Sequence, residues 1–595
     1  ALSGLTGIGD AVTVTADFPL TAQATNVEVM AVPDVSVSSG VTTITTQIGD
    51  RKYSVNINFT EGYKQGYIYT YTLTLNNTGM EVTSVAVTPW EEGTTDTGEL
   101  VMANDQYIVN IAVPADAYTY THNILGFAGT IDWGDGTTTV YGETNRGIGD
   151  GETSVTNYPS HTYTTAGTYR VVATGRAEEL NSKTTSKCIT DIIKIGGEMG
   201  ITSLYNGFRD QINLKEIPNY IFDELTEVTT FFHVFDNCPL INVIPEGLFD
   251  NNIKATNFRC VFANCPLISV IPENLFIYNI LADDFAGAFQ NLSITEIPEG
   301  LFKNNPLVKR FDVLFQGCTG ITSIPEKLFW NNPEVEDFGC MFNSCTNLKV
   351  IPKELFKNNT KVKSFYITFI NCPGITEVPE GLFDNCPEVT SFDETFLDCS
   401  GITSIPEGLF DNNKKVETFK KTFAGCTGLT DIPAGLFDNC PNVTTFEGTF
   451  SGTNITSIPT GLFDNCPNVI NFSSTFAECK GITAIPEGLF DNCTEVTNFN
   501  RTFRNFDSLI NIPTGLFDKC TKVTDFTQCF NQCALLTGES PYTIINVDGN
   551  DVKVHLYERS LYPEYFTVPI SYANCFGGCD MTDRERILNI GWANY

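Results

Sequence analysis

Few residues in this chain have the types and spacing needed for chemistry. Its four histidines stand at 122, 161, 233 and 555, too scattered to form a ligand set of recognisable metal-binding spacing. Gly147-Ile148-Gly149-Asp150-Gly151 has the glycine density of a phosphate loop. No Lys-Ser/Thr and no apolar helix follow it, so a surface loop is expected. No Gly-x-Ser-x-Gly nucleophile elbow occurs. Carboxylates are abundant, at 70 Asp plus Glu, but most recur at fixed positions such as Glu407 and Asp411, where they read as solvating charge rather than a paired acid and base. Asp135 and His161 are expected to be structural. The reading is therefore non-enzymatic, with no catalytic residue, no metal and no cofactor.

The 20 cysteines are the most suggestive reactive groups. They are too dilute for a disulfide-stapled scaffold, so their positions matter more than their number. Cys318, Cys345, Cys372, Cys399 and Cys426 are spaced by 27, as are Cys238 and Cys265. A second slot holds Asn252, Asn279, Asn305, Asn332, Asn359 and Asn413, but Cys386, Cys440, Cys466, Cys493 and Cys520 elsewhere. Interchange of Cys with Asn marks a small buried position at a corner, filled by free thiols. Any disulfides are expected first among the off-grid neighbours Cys260/Cys265, Cys340/Cys345, Cys529/Cys533 and Cys575/Cys579.

The same grid runs through the rest of the sequence. Ile-Pro or Val-Pro recurs with Pro at 218, 245, 272, 298, 325, 352, 379, 406, 433, 459, 486 and 513, in steps of 26 or 27. Within one copy, Val389-Thr390-Ser391-Phe392 matches Ile402-Thr403-Ser404-Ile405, so each unit has two halves. Each half opens with β-type composition and turns through an apolar pair such as Leu409-Phe410, and Pro406 stops the second strand. The expected coil has one strand on each long side and tight corners. Such a unit buries its Ile, Leu and Phe only against its neighbours. At the Phe-x-x-Cys half and the Ile-Pro half the chain resembles BspA-like bacterial surface leucine-rich-repeat proteins. The resemblance implies a parallel-strand solenoid of about twelve coils over 216–540, used for binding or display.

Two further resemblances lie upstream. Ile131-Asp132-Trp133-Gly134-Asp135-Gly136-Thr137, with Ser160-His161-Thr162-Tyr163 and Gly167-Thr168-Tyr169, is similar to a PKD-type domain. That implies an immunoglobulin-like β-sandwich over 101–180, with a polar insertion at 142–158. Residues 67–75 alternate as a strand, turn at 76–79, and lead through Val82–Val87 to Pro89-Trp90. This hairpin is similar to the last strands of fimbrillin-like domains, which implies a β-domain over 1–100. The fold class is thus mainly β, two sandwich-like domains followed by the solenoid. Residues 181–215 are expected to cap the first coil. Residues 541–595, with a hairpin around Asp548-Gly549, are expected to cap the last through Cys575, Phe576, Ile587 and Trp592.

Charge narrows the partners. Thirty-five Lys plus Arg against 70 acids give a formal net charge of −35, which disfavours nucleic acid and anionic membranes. No apolar run approaches the ~20 residues of a membrane span. No basic-then-apolar signal segment is present, so Ala1 is expected to be a processed N-terminus or the start of a chain exported by another route or not at all. Candidate partner-binding residues are departures from the repeat. Ile277 and Trp330 stand where other coils have Asp, with Tyr278 beside the former, and Tyr366 and Ile367 stand where another coil has Asp393 and Glu394. Such groups anchor a protein partner, stack on sugar rings, or pack against a loop or a second subunit. The favoured function is a surface-displayed adhesin or fimbria-associated protein whose solenoid binds a host protein or glycan. It would be extracellular or on the cell surface, with any homo-oligomer or larger assembly formed through the N-terminal β-domain. The alternatives are a bacteriophage virion protein on the virion surface, and an accessory module of a secreted carbohydrate-active enzyme.

Overall fold

The structure, a computed structural model, describes residues 25–31, 40–48, 51–59, 67–76, 79–89, 104–142 and 158–593. The glycine-rich loop at 147–151, nearly all of the 142–158 insertion, and Trp90 lie outside them. Two compact units result, Ala1–Val101 and Met102–Tyr595. In the first, β1 (Thr25–Ala31), β4 (Tyr67–Asn76) and β5 (Gly79–Pro89) form one antiparallel sheet, and β2 (Gly40–Ile48) pairs with β3 (Arg51–Phe59). The expected hairpin is β4 with β5, in a register that places Tyr67 opposite Pro89.

The second unit opens with a five-stranded antiparallel sheet. Its order is β10 (Thr138–Tyr141), β9 (Ala128–Asp132), β12 (Gly167–Arg176), β6 (Gln106–Val113) and β14 (Ile189–Ile195). Tyr107, Val109 and Ile111 alternate along β6 into the core and are fully buried. Two short pairs complete this region, β7 (Tyr118–Thr121) with β11 (Ser160–Tyr163) and β8 (Ile124–Leu125) with β13 (Glu179–Leu180). The Trp-Gly-Asp-Gly turn is built as its sequence suggests. Gly134 has φ +81°, and a Cβ there would lie 2.5 Å from the Arg170 carbonyl oxygen, so only glycine fits. Trp133 is buried, its carbonyl accepts from Tyr163 Oη at 2.8 Å, and His161 stacks on its ring while holding Asp135 at 2.7 Å.

Ile189–Ile195, expected within a separate cap, is instead an edge strand of this sheet. Its place is taken by the end of the β-region itself. Leu180 N–H donates to the Ser203 carbonyl at 3.1 Å, and Asn123 Nδ2 and Ser182 Oγ both donate to Gly207. One continuous apolar core therefore runs from Tyr107 to Ala593.

The solenoid departs from the two-strand expectation. One side carries a parallel ladder of single bridging residues, running through Ser203, Thr230, Asn257, Asp284, Arg310, Asp337, Ser364 and Ser391 to Asp525 and Ser571. On the Ile-Pro side only Ser323 and Val350 bridge in this way. Pro follows that segment directly in every coil and brings no N–H, so pairing there cannot propagate. The main inter-coil hydrogen bonding lies in the Phe half. There Phe392, Glu394, Phe396 and Asp398 donate to the carbonyls of Thr418, Lys420, Thr422 and Ala424 in the next coil. The path requires left-handed backbone at two residues per coil, as at Glu394 (φ +56°) and Asp398 (φ +59°).

Between coils the filling is aromatic. Three columns of Phe stack nearly face to face, as in Phe392–Phe419 (5.8 Å, 4°), Phe410–Phe437 (6.3 Å, 8°) and Phe396–Phe423 (5.6 Å, 8°). Adjacent columns interlock at an angle, as in Phe392–Phe410 (4.7 Å, 50°).

The two cysteine slots have one task, to give a second donor, from the next coil, to carbonyls that each turn already engages once. Asn332 Nδ2 donates to Phe302 at 3.1 Å and to Asn305 at 2.8 Å, and Asn279, Asn305, Asn359 and Asn413 repeat the pattern. Where Cys fills the slot its thiol points at the same pair, as from Cys493 to Phe463 and Cys466 at 3.8 and 3.6 Å. In the other slot Cys399 donates to Phe369 at 2.9 Å. All 20 cysteines are thiols. The off-grid neighbours do not bridge. Cys265 and Cys345 face inward, whereas Cys260 and Cys340 occupy outward left-handed positions and are the two partly exposed cysteines; in Cys529/Cys533 and Cys575/Cys579 both thiols are buried and free.

The C-terminal segment closes the stack. β15 (Tyr542–Val547) and β16 (Asn550–His555) form the expected hairpin, with Asp548 and Gly549 both at positive φ. Phe576 stacks on Phe530 at 5.6 Å, Cys579 donates to the Phe530 carbonyl, and Trp592 stacks on Tyr572. Arg559, almost fully buried, sends Nη1 to Cys520 and Nη2 to Phe517, each at 2.8 Å. A guanidinium thus answers the last two carbonyls that Asn or Cys answers elsewhere.

Asn332→Cys is expected to change stability by less than about 1 kcal/mol, whereas Asn332→Ala removes the inter-coil donor from two buried carbonyls and costs about 2 kcal/mol. Arg559→Met is expected to be the most destabilising of the three. Chemical denaturation of the full chain checks the order.

Candidate functional site

Each coil turns its second corner through a Gly-Leu-Phe-Asp segment. Leu409 and Phe410 point inward, Gly408 takes φ +70°, and Asp411 N–H closes the turn onto the Gly408 carbonyl at 3.0 Å. A Cβ on Gly408 would lie 2.8 Å from the Asp411 carboxylate, so glycine and aspartate go together. The pairing recurs at Gly247/Asp250, Gly381/Asp384, Gly435/Asp438, Gly461/Asp464 and Gly488/Asp491.

Four consecutive coils abandon it. They carry Asn274/Ile277, Gly300/Lys303, Lys327/Trp330 and Glu354/Lys357, flanked by Asp250 before and Asp384 after. The turn itself survives, since Ile277 and Trp330 still donate to Asn274 and Lys327 at 3.1 and 3.2 Å. The surface chemistry changes completely. Trp330, half-buried, is fixed by its Nε1–H to the Glu354 carbonyl of the next coil at 3.0 Å, and the Nζ atoms of Lys327 and Lys357 each lie 5.1 Å from its ring. Asn304, Asn331 and Asn358 form an adjacent row, donating Nδ2 to the carbonyls of Ile277, Lys303 and Trp330. With Ile280, Pro306, Pro333 and Thr360 they line an open groove of about 960 Å³. Tyr278, Ile280 and Leu307 are exposed at its N-terminal end.

Among the sequence candidates the structure places Ile277, Tyr278 and Trp330 along this one corner. Tyr366 and Ile367 lie elsewhere, just beyond the bridging residue Ser364. Tyr366 is exposed, and its N–H bonds the Ser364 Oγ. Burial, with Glu394 nearby, raises its phenol. Ile367 is partly buried at φ +59°, a left-handed position that a β-branched residue seldom takes. The lysines were missed because departures from the repeat were sought only among apolar groups. Lys303 and Lys357 occupy the same grid slot as Trp330, and residues 300–363 carry nine Lys or Arg against six Asp or Glu, in a chain where acids are twofold in excess. Lys357 pairs with Glu354 at 2.9 Å, whereas Lys303 and Lys327 have no carboxylate within ion-pair distance among the described residues.

Groups with catalytic potential are dispersed. His122 is fully buried, stacked on Tyr107 and bonded to Tyr120 Oη, and burial lowers it to about 3. His233 faces Asp236, and His555 sits between Glu539 and Glu558. Among the described residues no group of three or more His, Cys, Asp or Glu is placed to hold a metal ion.

Residues 289–417, 322–470 and 376–532 match the model of the BspA type leucine rich repeat region, in six copies. Residues 4–90 match the fimbrillin-like model. No curated protein matches the chain. The chain therefore carries BspA-type leucine-rich repeats behind a fimbrillin-like domain, two families found typically in cell-surface or extracellular proteins without enzymatic activity. No helix among the described residues is long and apolar enough to cross a membrane.

The bridge face offers a test of charge. Burial raises the Asp337 carboxyl, with neighbouring Asp312 adding to the effect against the Gly339 N–H and Arg310. A folded-state pKa above the unfolded one means that ionised Asp337 weakens the fold once pH exceeds that value. Asp337→Asn is expected to raise Tm at pH 7 and to lose that advantage below about pH 3.8, where both states are protonated. Thermal melts across pH check it.

Proposed function

We propose that the protein is a non-enzymatic, surface-displayed adhesion or recognition protein whose solenoid carries the binding surface. One observation carries the reading. Four neighbouring coils exchange the Gly/Asp corner for Trp, Lys and apolar groups, while they keep the inward Leu-Phe pair and an inward Asn that makes the same contacts as the Asn or Cys of other coils. Packing needs no such exchange, and a partner does. The fimbrillin-like domain over 1–100 serves as attachment or assembly module, and residues 101–180, read as PKD-type, as spacer. Ile277, Tyr278 and Trp330 belong to the principal surface. Tyr366 and Ile367 form a second, smaller one.

A virion surface protein is the second reading. It draws support from the use of thiols as interior hydrogen-bond donors, which suits assembly in a reducing cytoplasm.

Restoring the repeat separates a binding role from a packing role. The triple variant Lys303→Asp, Trp330→Asp, Lys357→Asp is expected to melt within a few degrees of the parent and to lose at least tenfold in binding to target cells or extracellular matrix. Equal retention by both proteins would remove this corner from the binding surface.

A further inference from the structure

The groove has a sign as well as a shape. The chain carries −35 overall, and Asp occupies the corner slot at 223, 250, 384, 411, 438, 464, 491 and 518. Anions are repelled along most of this edge. Only over 277–357 does the slot become apolar or cationic. There the exposed Lys303 and Lys327 lack a carboxylate partner among the described residues, and two ammonium groups flank one indole at 5.1 Å. Lys357 is already paired with Glu354, whereas the charge of Lys303 and Lys327 is offset by no carboxylate at ion-pair distance, and an anion beside them adds attraction.

The remaining chemistry narrows the anion. Asn304, Asn331 and Asn358 each spend one N–H on a backbone carbonyl, which fixes a row of exposed amides whose oxygens accept hydrogen bonds. Accepting oxygens suit hydroxyl donors. Pro306, Pro333 and the Trp330 ring give flat apolar surfaces that suit the C–H face of a sugar ring. Indole, cations and a row of acceptors on adjacent coils form a repeating strip, and a linear polymer of hydroxylated rings bearing one anion each matches all three. An acidic peptide would use the lysines and leave the amide row unanswered.

We infer that the groove between Ile280 and Thr360, centred on Trp330, binds an acidic polysaccharide, with carboxylate or sulfate groups on Lys303, Lys327 and Lys357 and sugar faces on Trp330 and the neighbouring prolines. The inference rests on the recognition role proposed above and gives its ligand a chemical class.

The test uses the full chain and four probes: oligogalacturonate, a heparin-derived oligosaccharide, a neutral dextran oligosaccharide of equal length, and poly-glutamate. Binding by calorimetry at 50 and 150 mM salt is expected for at least one of the two acidic saccharides and absent for dextran. Lys303→Gln with Lys327→Gln, two exposed positions, is expected to weaken it at least tenfold with an unchanged melting curve. Trp330→Phe is expected to weaken it severalfold. Carboxylate and sulfate sources are told apart by which acidic saccharide binds. Poly-glutamate binding as tightly as the saccharides would overturn the inference in favour of an acidic peptide. Failure of both acidic saccharides, or binding that the lysine variant leaves unchanged, would also overturn it. If cells are still captured through Trp330 while no acidic saccharide binds, the ligand class fails and the recognition role stands.

Discussion

Everything in the solenoid depends on the buried backbone carbonyls where each coil turns inward. A tight turn ending on a buried Phe gives such a C=O one partner of its own, a backbone N–H three residues on, as Asn305 N–H gives Phe302, and the second lone pair is left facing the neighbouring coil. The next coil must supply a donor at the right height, and it does so with the Asn Nδ2, Cys Sγ or Thr Oγ1 of three parallel slots. Stacking of Phe on Phe sets the spacing, but it is non-directional. The side-chain donor fixes which coil residue faces which, and so fixes the register of the whole array.

The exchange of Asn for Cys follows from that requirement. Asn makes two good bonds, at 2.8–3.1 Å for Asn332, yet its buried Oδ1 finds no partner. Cys makes two weak bonds, at 3.6–3.8 Å for Cys493, and leaves no strong acceptor unpaired. The gain and the penalty nearly cancel, so both residues serve the same slot. Arg559 closes the series because a guanidinium has donors only and leaves no acceptor that a further coil would have to meet, although its buried Nε finds no partner. The surface pairs between coils, such as Lys361–Glu334 and Lys415–Glu388, follow the register rather than set it.

The coil register was legible because Pro, Phe, Asn and Cys recur at fixed separations, and the Asn/Cys exchange marked a buried corner position without showing what it bonds. The second strand was not legible. Ile402-Thr403-Ser404-Ile405 has the composition of its partner half, and Pro406 was read only as the end of a strand, whereas a Pro at every coil keeps the pairing from propagating at all. Ile189–Ile195 was assigned by position along the chain, whereas a Val-rich sheet edge with an unpaired side claimed it. The groove was half legible. Trp330 stands out as an aromatic among acids, but Lys327 of its own coil and Lys357 of the next became visible as its partners only in three dimensions, each 5.1 Å from the ring.

The groove coils also show why a solenoid suits recognition. Ile277, Lys303, Trp330 and Lys357 each stand two residues before an Asn, at 279, 305, 332 and 359, and all four amides make the double carbonyl contact. Outward residues are free to change because the inward Asn and Phe hold the turn whatever its surface carries. The binding strip is thereby pre-ordered, and little entropy is lost when a ligand lies along it. Trp330 adds its own tether to the Glu354 backbone, so the one large side chain in the strip is already in place. The proposed recognition surface thus takes its shape from beneath, from the buried amides of Asn279, Asn305, Asn332 and Asn359.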